Sequence, residues 1–217
     1  MHPWKDFEPL VALHVTGCAP LAMREAVREA LEEFCTKTHI WTVEAGPFDV
    51  RQGVADYDLP VDIDQRALVV KRVKFKDRPI EIVNTERLDG SLPTWTSSGQ
   101  GAVPLMCRVF VEDGAQFVRL FPVPSETVKS ALRFWVAVKP ASNSEQVPDF
   151  FYEDWRRVLA SGAVAKLAAV PGKDYTNPDL AVYHQRLFQM GVARAMNRVA
   201  TGASGRGKRV LSRRFGS

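Results

Sequence analysis

The chain has 217 residues, 46% apolar side chains and a formal net charge of +4, which is enough apolar material for one sizeable core. No apolar run approaches the roughly 20 residues that cross a bilayer, and the opening MHPWKDFEPL lacks the basic-then-apolar order of a secretory signal. Three cysteines without regular spacing fit reduced thiols better than a disulfide framework. We therefore expect a folded, soluble protein that is made in the cytoplasm.

The first predicted helix lies within residues 17–40. Pro20 suits the opening turn of a helix, where its missing N–H costs nothing. Apolar residues then recur at helical spacing through Phe34, and arginines and glutamates fill the opposite side. The pattern predicts a helix from Pro20 to about Lys37 that is stabilised by packing on a core.

The middle of the chain, at about residues 47–140, alternates apolar and polar residues as strands do. One pair of strands is predicted on either side of the turn Asp77-Arg78-Pro79. A second pair flanks Asp113-Gly114, a dipeptide that favours hairpin turns. A further strand carries a row of apolar residues on one side, formed by Leu132, Phe134, Val136 and Val138.

Between these strands the sequence predicts a short helix and a loop. The helix runs from Thr85 to Asp89, with Asn84 or Thr85 as its cap. Serine, threonine, glycine and proline then dominate residues 91–103, which include Trp95 and are predicted to form a long loop.

Two more helices are predicted near the C-terminus. Pro148 and Asp149 can begin the first, and Pro171-Gly172 ends it because proline breaks the hydrogen-bond ladder. Asn177-Pro178 begins the second, which runs to about Ala200, and the short loop predicts an antiparallel pair. The predicted class is α+β, with helices at about 17–40 and 148–200 flanking an antiparallel sheet or small sandwich in a single domain over residues 1–200.

The last predicted helix has apolar residues on more than one side. Leu180, Tyr183, Leu187 and Met190 point one way, whereas Val192, Met196 and Val199 lie elsewhere on its circumference. Such a helix can pack on its own subunit and still contact another one. The alternative is a helix that is buried entirely in its own core.

The positive charge is concentrated at the C-terminus. Residues 201–217 hold five basic residues and no acidic one, so residues 1–200 carry a net charge of −1. The functional interpretation of this tail is an arm that binds an acidic protein surface or nucleic-acid phosphate, and the alternative is a solvated chain end. The apolar residues within it favour a protein groove. The candidate partner-binding residues are Arg206, Lys208, Arg209, Val210, Leu211, Arg213, Arg214 and Phe215.

The apparent metal-binding motifs do not withstand a geometric test. His14, Cys18, Cys35 and His39 resemble a zinc set. However, Cys18 and Cys35 lie 17 positions apart along the predicted helix, which is roughly 25 Å. The aspartates Asp56, Asp58, Asp62 and Asp64 lack the glycine and glutamate of a calcium loop. We predict no metal site and no cofactor.

Catalytic motifs are equally weak. Residues 202–209 approach a phosphate-binding loop, but Arg209 replaces the hydroxyl residue that would hold magnesium. The four histidines, at positions 2, 14, 39 and 184, suggest no triad. The carboxylate pairs Glu32/Glu33 and Glu153/Asp154, considered for a hydrolase, are adjacent on helices and so point about 100° apart. The sequence predicts that the protein is not an enzyme.

An ordered series of segments resembles a known family. It comprises residues 17–60, opening GCAPLAMREAVREALEEF; residues 76–95, KDRPIEIVNTERLDGSLPTW; residues 117–124, FVRLFPVP; and residues 147–195, opening VPDFFYEDWRRVLASGAVAKL. In this order they resemble the head-to-tail adaptor (connector) family of tailed bacteriophages, which is related to the tail tubular protein A of short-tailed phages. The resemblance spans about residues 17–200.

The resemblance implies a structural virion protein at the portal vertex. It would form a ring, usually of twelve subunits, beneath the portal and would present a surface to the tail nozzle or the next tail protein. Viral DNA would pass through the channel without specific binding, which a near-neutral body suits. The alternative is a nucleic-acid-binding accessory protein with the basic tail as an arm and sheet aromatics as stacking platforms.

Overall fold

The computed structural model describes residues 1–59, 61–91, 100–101, 103–112 and 115–202. These residues confirm the α+β class. They divide into two compact units. Of the described residues, those within 1–40 and 145–202 form the helical unit, and those within 41–144 form the sheet unit. The predicted grouping of residues 1–200 into one domain stays a prediction.

In chain order the elements are β1 (His2–Pro3), a 3-10 helix (Trp4–Phe7), α1 (Glu8–Ala12), α2 (Pro20–Thr38), β2 (Thr42–Val50), β3 (Asp56–Asp58), β4 (Gln65–Phe75), β5 (Arg78–Ile82), α3 (Thr85–Ser91), β6 (Gln100–Gly101), β7 (Met106–Glu112), β8 (Ala115–Phe121), β9 (Val123–Pro124), β10 (Val128–Pro140), β11 (Gln146–Val147), α4 (Asp149–Ala168) and α5 (Pro178–Thr201). The three predicted long helices are confirmed as α2, α4 and α5.

The long helices begin and end at local signals in the sequence. Pro20 occupies the first turn of α2, and His39 ends that helix in the left-handed conformation. The side chain of Asn177 accepts a hydrogen bond from the Leu180 N–H at 3.0 Å, which caps α5 as predicted. Asp149 is the first helical residue of α4, while Pro148 takes the cap position.

Two glycines set the packing distance between the long helices. A Cβ atom at Gly162 of α4 would lie 2.8 Å from the Phe188 ring and 2.9 Å from Ala30 Cβ. A Cβ at Gly191 of α5 would lie 2.3 Å from Val158 Cγ1. Residue 162 of α4 lies against residue 188 of α5, and residue 158 of α4 lies against residue 191 of α5. Because the contact positions rise along one helix as they fall along the other, α4 and α5 run antiparallel, as predicted.

The first 16 residues belong to the helical unit. Strand β1 pairs with β11 through His2 and Val147. The Met1 amino group forms an ion pair with Asp149, and Arg24 of α2 pairs with Glu8. These contacts tie the N-terminal segment to α2 and α4.

The sheet unit holds a seven-stranded sheet in the order β2-β10-β4-β5-β7-β8-β3. Its long strand β10 lies between β2 and β4 and buries Leu132, Phe134, Val136 and Val138 completely, which confirms the predicted apolar row. Strands β7 and β8 form the predicted hairpin, in which Glu112 pairs with Ala115. Residues 113 and 114 lie outside the described residues.

Three details differ from the sequence-based expectations. The turn between β4 and β5 falls at Lys76 and Asp77, which both have positive φ, so Arg78 and Pro79 already belong to β5. Pro79 is tolerated there because β7 pairs only with Glu81 and Ile82 of β5. The β5–β7 pair is parallel, since the chain crosses over through α3 between them. The third difference is that strand β2 begins at Thr42, ahead of the predicted boundary.

The short helix α3 is confirmed, with the Asn84 side chain accepting from the Arg87 N–H at 2.9 Å. It extends to Ser91, where the long loop was predicted to begin. Within that predicted loop, Gln100–Gly101 forms a short strand that is parallel to β9. Trp95 lies outside the described residues.

All three cysteines, Cys18, Cys35 and Cys107, are free and buried. Burial raises the pKa of the Cys107 thiol to about 12, so this thiol is protonated at neutral pH. Among the helices described, none combines the length and the apolar character needed to span a membrane.

Candidate assembly surfaces

Helix α5 exposes large apolar side chains over much of its outer circumference. The residues on its inner side, which include Phe188 and Val192, are buried. On the remaining circumference, Val182, Tyr183, Met190, Met196 and Val199 are 38% to 68% exposed. We call these five residues the α5 outer face. The prediction that this helix carries apolar residues on more than one side is confirmed, and such a face is typical of a protein interaction site.

A groove of about 430 Å³ opens beside this face, within the helical unit. Its lining residues are Leu10, Leu13, His14, Arg157, Ala160, Ser161, Tyr183, His184 and Leu187. They come from α1 and the turn after it, from α4 and from α5. We call this feature the α1–α5 groove. Leu13 is 77% exposed at its rim, so apolar surface is available to a partner.

His184 is a buried polar residue in the lining of the groove. It is 4% exposed, and neither ring nitrogen has a hydrogen-bond partner within the described part of the chain. The ring of His14 packs edge-on against it, at 4.6 Å between centroids. Burial lowers the pKa of His184 below its ordinary value, and His14 lowers this pKa further. The imidazole is therefore neutral at pH 7, and burying it unsatisfied costs about 1–3 kcal/mol.

Helix α2 presents an acidic row opposite its buried side. Leu21, Glu25 and Glu29 follow one another at four-residue spacing, with Glu32 beside them. Leu21 is 74% exposed. Glu25 pairs with Arg28 at 3.7 Å, and Glu29 pairs with Lys166 at 3.6 Å. We call these four residues the α2 outer row.

Two of the four carboxylates considered for a hydrolase, Glu33 and Asp154, lie in ion pairs. Burial alone would raise the pKa of Glu33, but hydrogen bonds and charge from Lys37 and Lys166 lower this pKa below its ordinary value. Asp154 pairs with Arg198 at 2.7 Å. The structure thus gives these two carboxylates partners that favour the charged form and suit a structural role.

Three residues of the two rejected metal motifs, His14, Cys18 and Asp56, make other contacts. His14 packs on His184, and Cys18 Sγ lies 3.7 Å from the Ala19 carbonyl oxygen. Asp56 accepts two hydrogen bonds from Arg119, both at 2.6 Å. No group of three or more metal-ligating side chains converges within the described ranges.

In the sheet unit, Trp135 is accompanied by two cations. Trp135 of β10 has the Arg72 guanidinium 5.7 Å and the Lys74 ammonium 5.4 Å from its ring centroid. Aromatic rings and cations of this kind can stack on bases and bind phosphates. This cluster is the feature of the sheet unit that best fits the nucleic-acid alternative.

The eight candidate residues of the basic tail lie outside the described residues, so their role stays a prediction. Sequence reasoning missed the contribution of residues 10–14 to the groove. A signal was present, since Leu10, Leu13 and His14 are at helical spacing just before the first predicted helix. The segment is only five helical residues long, however, and its apolar pattern is too short to interpret alone.

Comparison with known proteins identifies one family. The model of the SU10 adaptor protein family matches residues 16–213, which is nearly the whole chain. No curated protein matches.

Proposed function

The chain belongs to the SU10 adaptor protein family, and we propose that it forms a ring beneath the portal, joins the capsid to the tail and lines the DNA exit channel. The membership itself confirms the resemblance to phage head-to-tail adaptors that the sequence suggested. The observation that carries the ring proposal is the α5 outer face, which exposes apolar residues that a lone subunit does not need on its surface.

A closed ring requires each subunit to present two different surfaces, one to each neighbour. The helical unit has two candidates of different chemistry. The α5 outer face is apolar and includes the cation Arg186 between its members, whereas the α2 outer row is mainly acidic. Apolar contact would supply affinity, and opposite charge would fix the orientation of one subunit on the next. We expect twelve copies in the ring, as the family resemblance implies.

The basic tail is the proposed contact with the portal protein. Its five cations can pair with acidic side chains, and Val210, Leu211 and Phe215 can fill apolar pockets. The opposite side of the ring would bind the tail nozzle or the next tail protein. In this role the protein needs contact surfaces and no catalytic centre.

Truncation after Gly202 tests the portal contact. The shortened protein should keep the helical circular dichroism of the full chain, because the described elements end at Thr201. It should no longer attach to DNA-filled heads. A variant with Lys71 and Arg78 of the sheet unit changed to glutamine removes charge elsewhere and serves as the control. Unchanged attachment of the truncated protein would contradict the assignment of the tail.

Free subunits should be largely monomeric and should assemble on the portal, because the portal would hold neighbouring subunits close together. Sedimentation of the isolated protein at micromolar concentration checks this expectation. A single slow species supports it, and a stable ring without portal contradicts it.

The nucleic-acid alternative retains one favourable observation, the Trp135 cluster with Arg72 and Lys74. If it holds, affinity for DNA should fall steeply with salt. Affinity should also fall in a variant with Arg206, Lys208 and Arg209 changed to alanine. For an adaptor, DNA binding should be weak and should not change with that variant, since the genome must pass freely.

A further inference from the structure

The α1–α5 groove contains a hydrogen-bonding group without a partner. His184 lines it at 4% exposure, with both ring nitrogens unpaired within the described residues. The rest of the lining is mainly apolar, with Leu10, Leu13 and Leu187 around the ring. A volume of about 430 Å³ is within the range of sites that hold several side-chain groups. The groove therefore fits an aliphatic side chain that is accompanied by a polar or charged group.

The charge at the groove indicates the sign of that group. Arg157 lines the groove. The structure shows no ion pair for this arginine within the ranges it describes. A carboxylate on the occupant would satisfy Arg157. The chain's own basic tail has the wrong charge for this position, because residues 201–217 contain no acidic residue.

The α2 outer row has the required combination. Leu21 is 74% exposed, so it does not fill the groove of its own subunit. Glu25 follows one helical turn later on the same side of α2, with its side chain 53% exposed. An exposed leucine beside a carboxylate matches an apolar groove beside an arginine.

We propose that the groove of each copy receives Leu21 of the neighbouring copy in the ring, with that copy's Glu25 paired to Arg157. The contact joins two different surfaces and can therefore repeat around a closed ring. This proposal rests on the proposed ring and names the surfaces through which its subunits meet.

A charge exchange tests the pairing. The readout is the number of copies bound to purified portal, measured by native mass spectrometry. Arg157→Glu and Glu25→Arg should each weaken assembly about tenfold, because like charges then face each other. The double variant carries the reversed pair at every contact and should recover assembly. Arg156→Glu is the matched control, since Arg156 lies against the Tyr152 ring instead of in the groove.

Cross-linking checks the same contact by distance. Leu21→Cys protein is mixed with Leu13→Cys protein on the portal and oxidised, and a covalent dimer containing one of each is expected. Leu21→Cys mixed with Leu105→Cys, an exposed position of the sheet unit, should give no dimer. The native thiols are buried and interfere little.

The outcomes separate this proposal from the proposed function. If wild-type protein assembles on the portal but the double charge variant does not recover and no mixed dimer forms, the groove contact is wrong and the adaptor role stands. If wild-type protein does not assemble on the portal at all, the proposed function itself fails. Loss of portal attachment in Arg157→Glu without recovery in the double variant would assign the groove to the portal and overturn the subunit contact.

Discussion

The helical unit and the sheet unit distribute their exposed apolar residues differently. In the described part of the helical unit, five of these residues lie on one helix, and Leu13 and Leu21 lie near the groove and on the α2 outer row. In the sheet unit they are scattered over strands and loops, as at Ile63, Val69 and Val111. Single exposed apolar residues are normal on any surface, whereas several of them on one helix are typical of an interaction surface. This difference supports the proposal that subunits assemble through their helices.

The cores of the two units also differ. The helical unit is built around aromatic rings, in which Phe34 contacts Phe151, Trp155 and Phe188 at centroid distances of 5.1 to 6.5 Å. The sheet unit is built around the buried residues of β10, with Phe134 at its centre. Each unit therefore has a core residue whose loss should affect that unit first.

The largest expected loss of stability comes from replacing one buried phenylalanine in either core with alanine. Phe34→Ala and Phe134→Ala should each lower the free energy of unfolding by about 3–5 kcal/mol, because both side chains are fully buried. Urea denaturation measures the loss, and hydrogen exchange locates it. Faster exchange should appear in the helical unit for Phe34→Ala and in the sheet unit for Phe134→Ala. An equal rise across both units in both variants would contradict the division into two cores.

A smaller loss is expected where α5 crosses α4. Gly191→Ala should cost about 1–3 kcal/mol, because the added methyl group overlaps the Val158 side chain. Adding Val158→Ala should recover much of this loss, since it removes the overlapping atoms. Gly90→Ala in α3 is the control, because a Cβ there meets no atom within 4 Å. Thermal unfolding of the wild type, Gly191→Ala, the double variant and Gly90→Ala measures these differences. A Gly191→Ala variant as stable as the wild type would show that the two helices separate easily.

The groove should make the helical unit sensitive to acid. Because burial and His14 lower the pKa of His184 in the folded state, the unfolded state binds more protons at mildly acidic pH. The contribution of the neutral His184 to the free energy of unfolding is therefore complete above the ordinary histidine pKa. It declines as the pH falls towards the lower pKa that His184 has in the folded state. His184→Gln should show a smaller decline between pH 7.5 and pH 5 in urea denaturation. His14 and Tyr183 pack against the ring, and Arg157 also lines the groove. An identical decline in both proteins would assign the acid sensitivity elsewhere.

The smallest effect on stability should come from the exposed residues that distinguish the two units. Met190→Asp on α5 and Ile63→Asp in the sheet unit should each change the unfolding free energy by less than about 0.5 kcal/mol, because both side chains are mostly exposed. Only Met190→Asp should reduce the number of copies bound to the portal. Equal assembly of the two variants would remove the distinction between the concentrated and the scattered residues.

Local signals in the sequence were sufficient to predict the long helices. Pro20 and Asn177-Pro178 predicted where α2 and α5 begin, because capping and proline geometry act within one turn. The apolar residues at every second position, Leu132, Phe134 and Val136, likewise predicted the central strand. These features need no information from distant parts of the chain.

The remaining features depend on contacts between distant segments. The groove combines residues 10–14 with α4 and α5, and no local sequence pattern predicts that these segments pack together. The parallel β5–β7 pair depends on the path of the crossover between them. The turn at Lys76 and Asp77 places two non-glycine residues at positive φ, which Asp77-Arg78-Pro79 did not predict. Physical reasoning from a single sequence therefore gave the elements, the class and the two-sided character of α5, but not the α1–α5 groove.

The central claim is that this chain works as one of several copies on a portal. Purified protein mixed with the portal of the same virus and imaged by electron microscopy tests it most directly. The account predicts a closed ring of copies beneath the portal, joined to one another through their helical units. Images in which the chain binds as an isolated copy, or does not bind the portal, would contradict it.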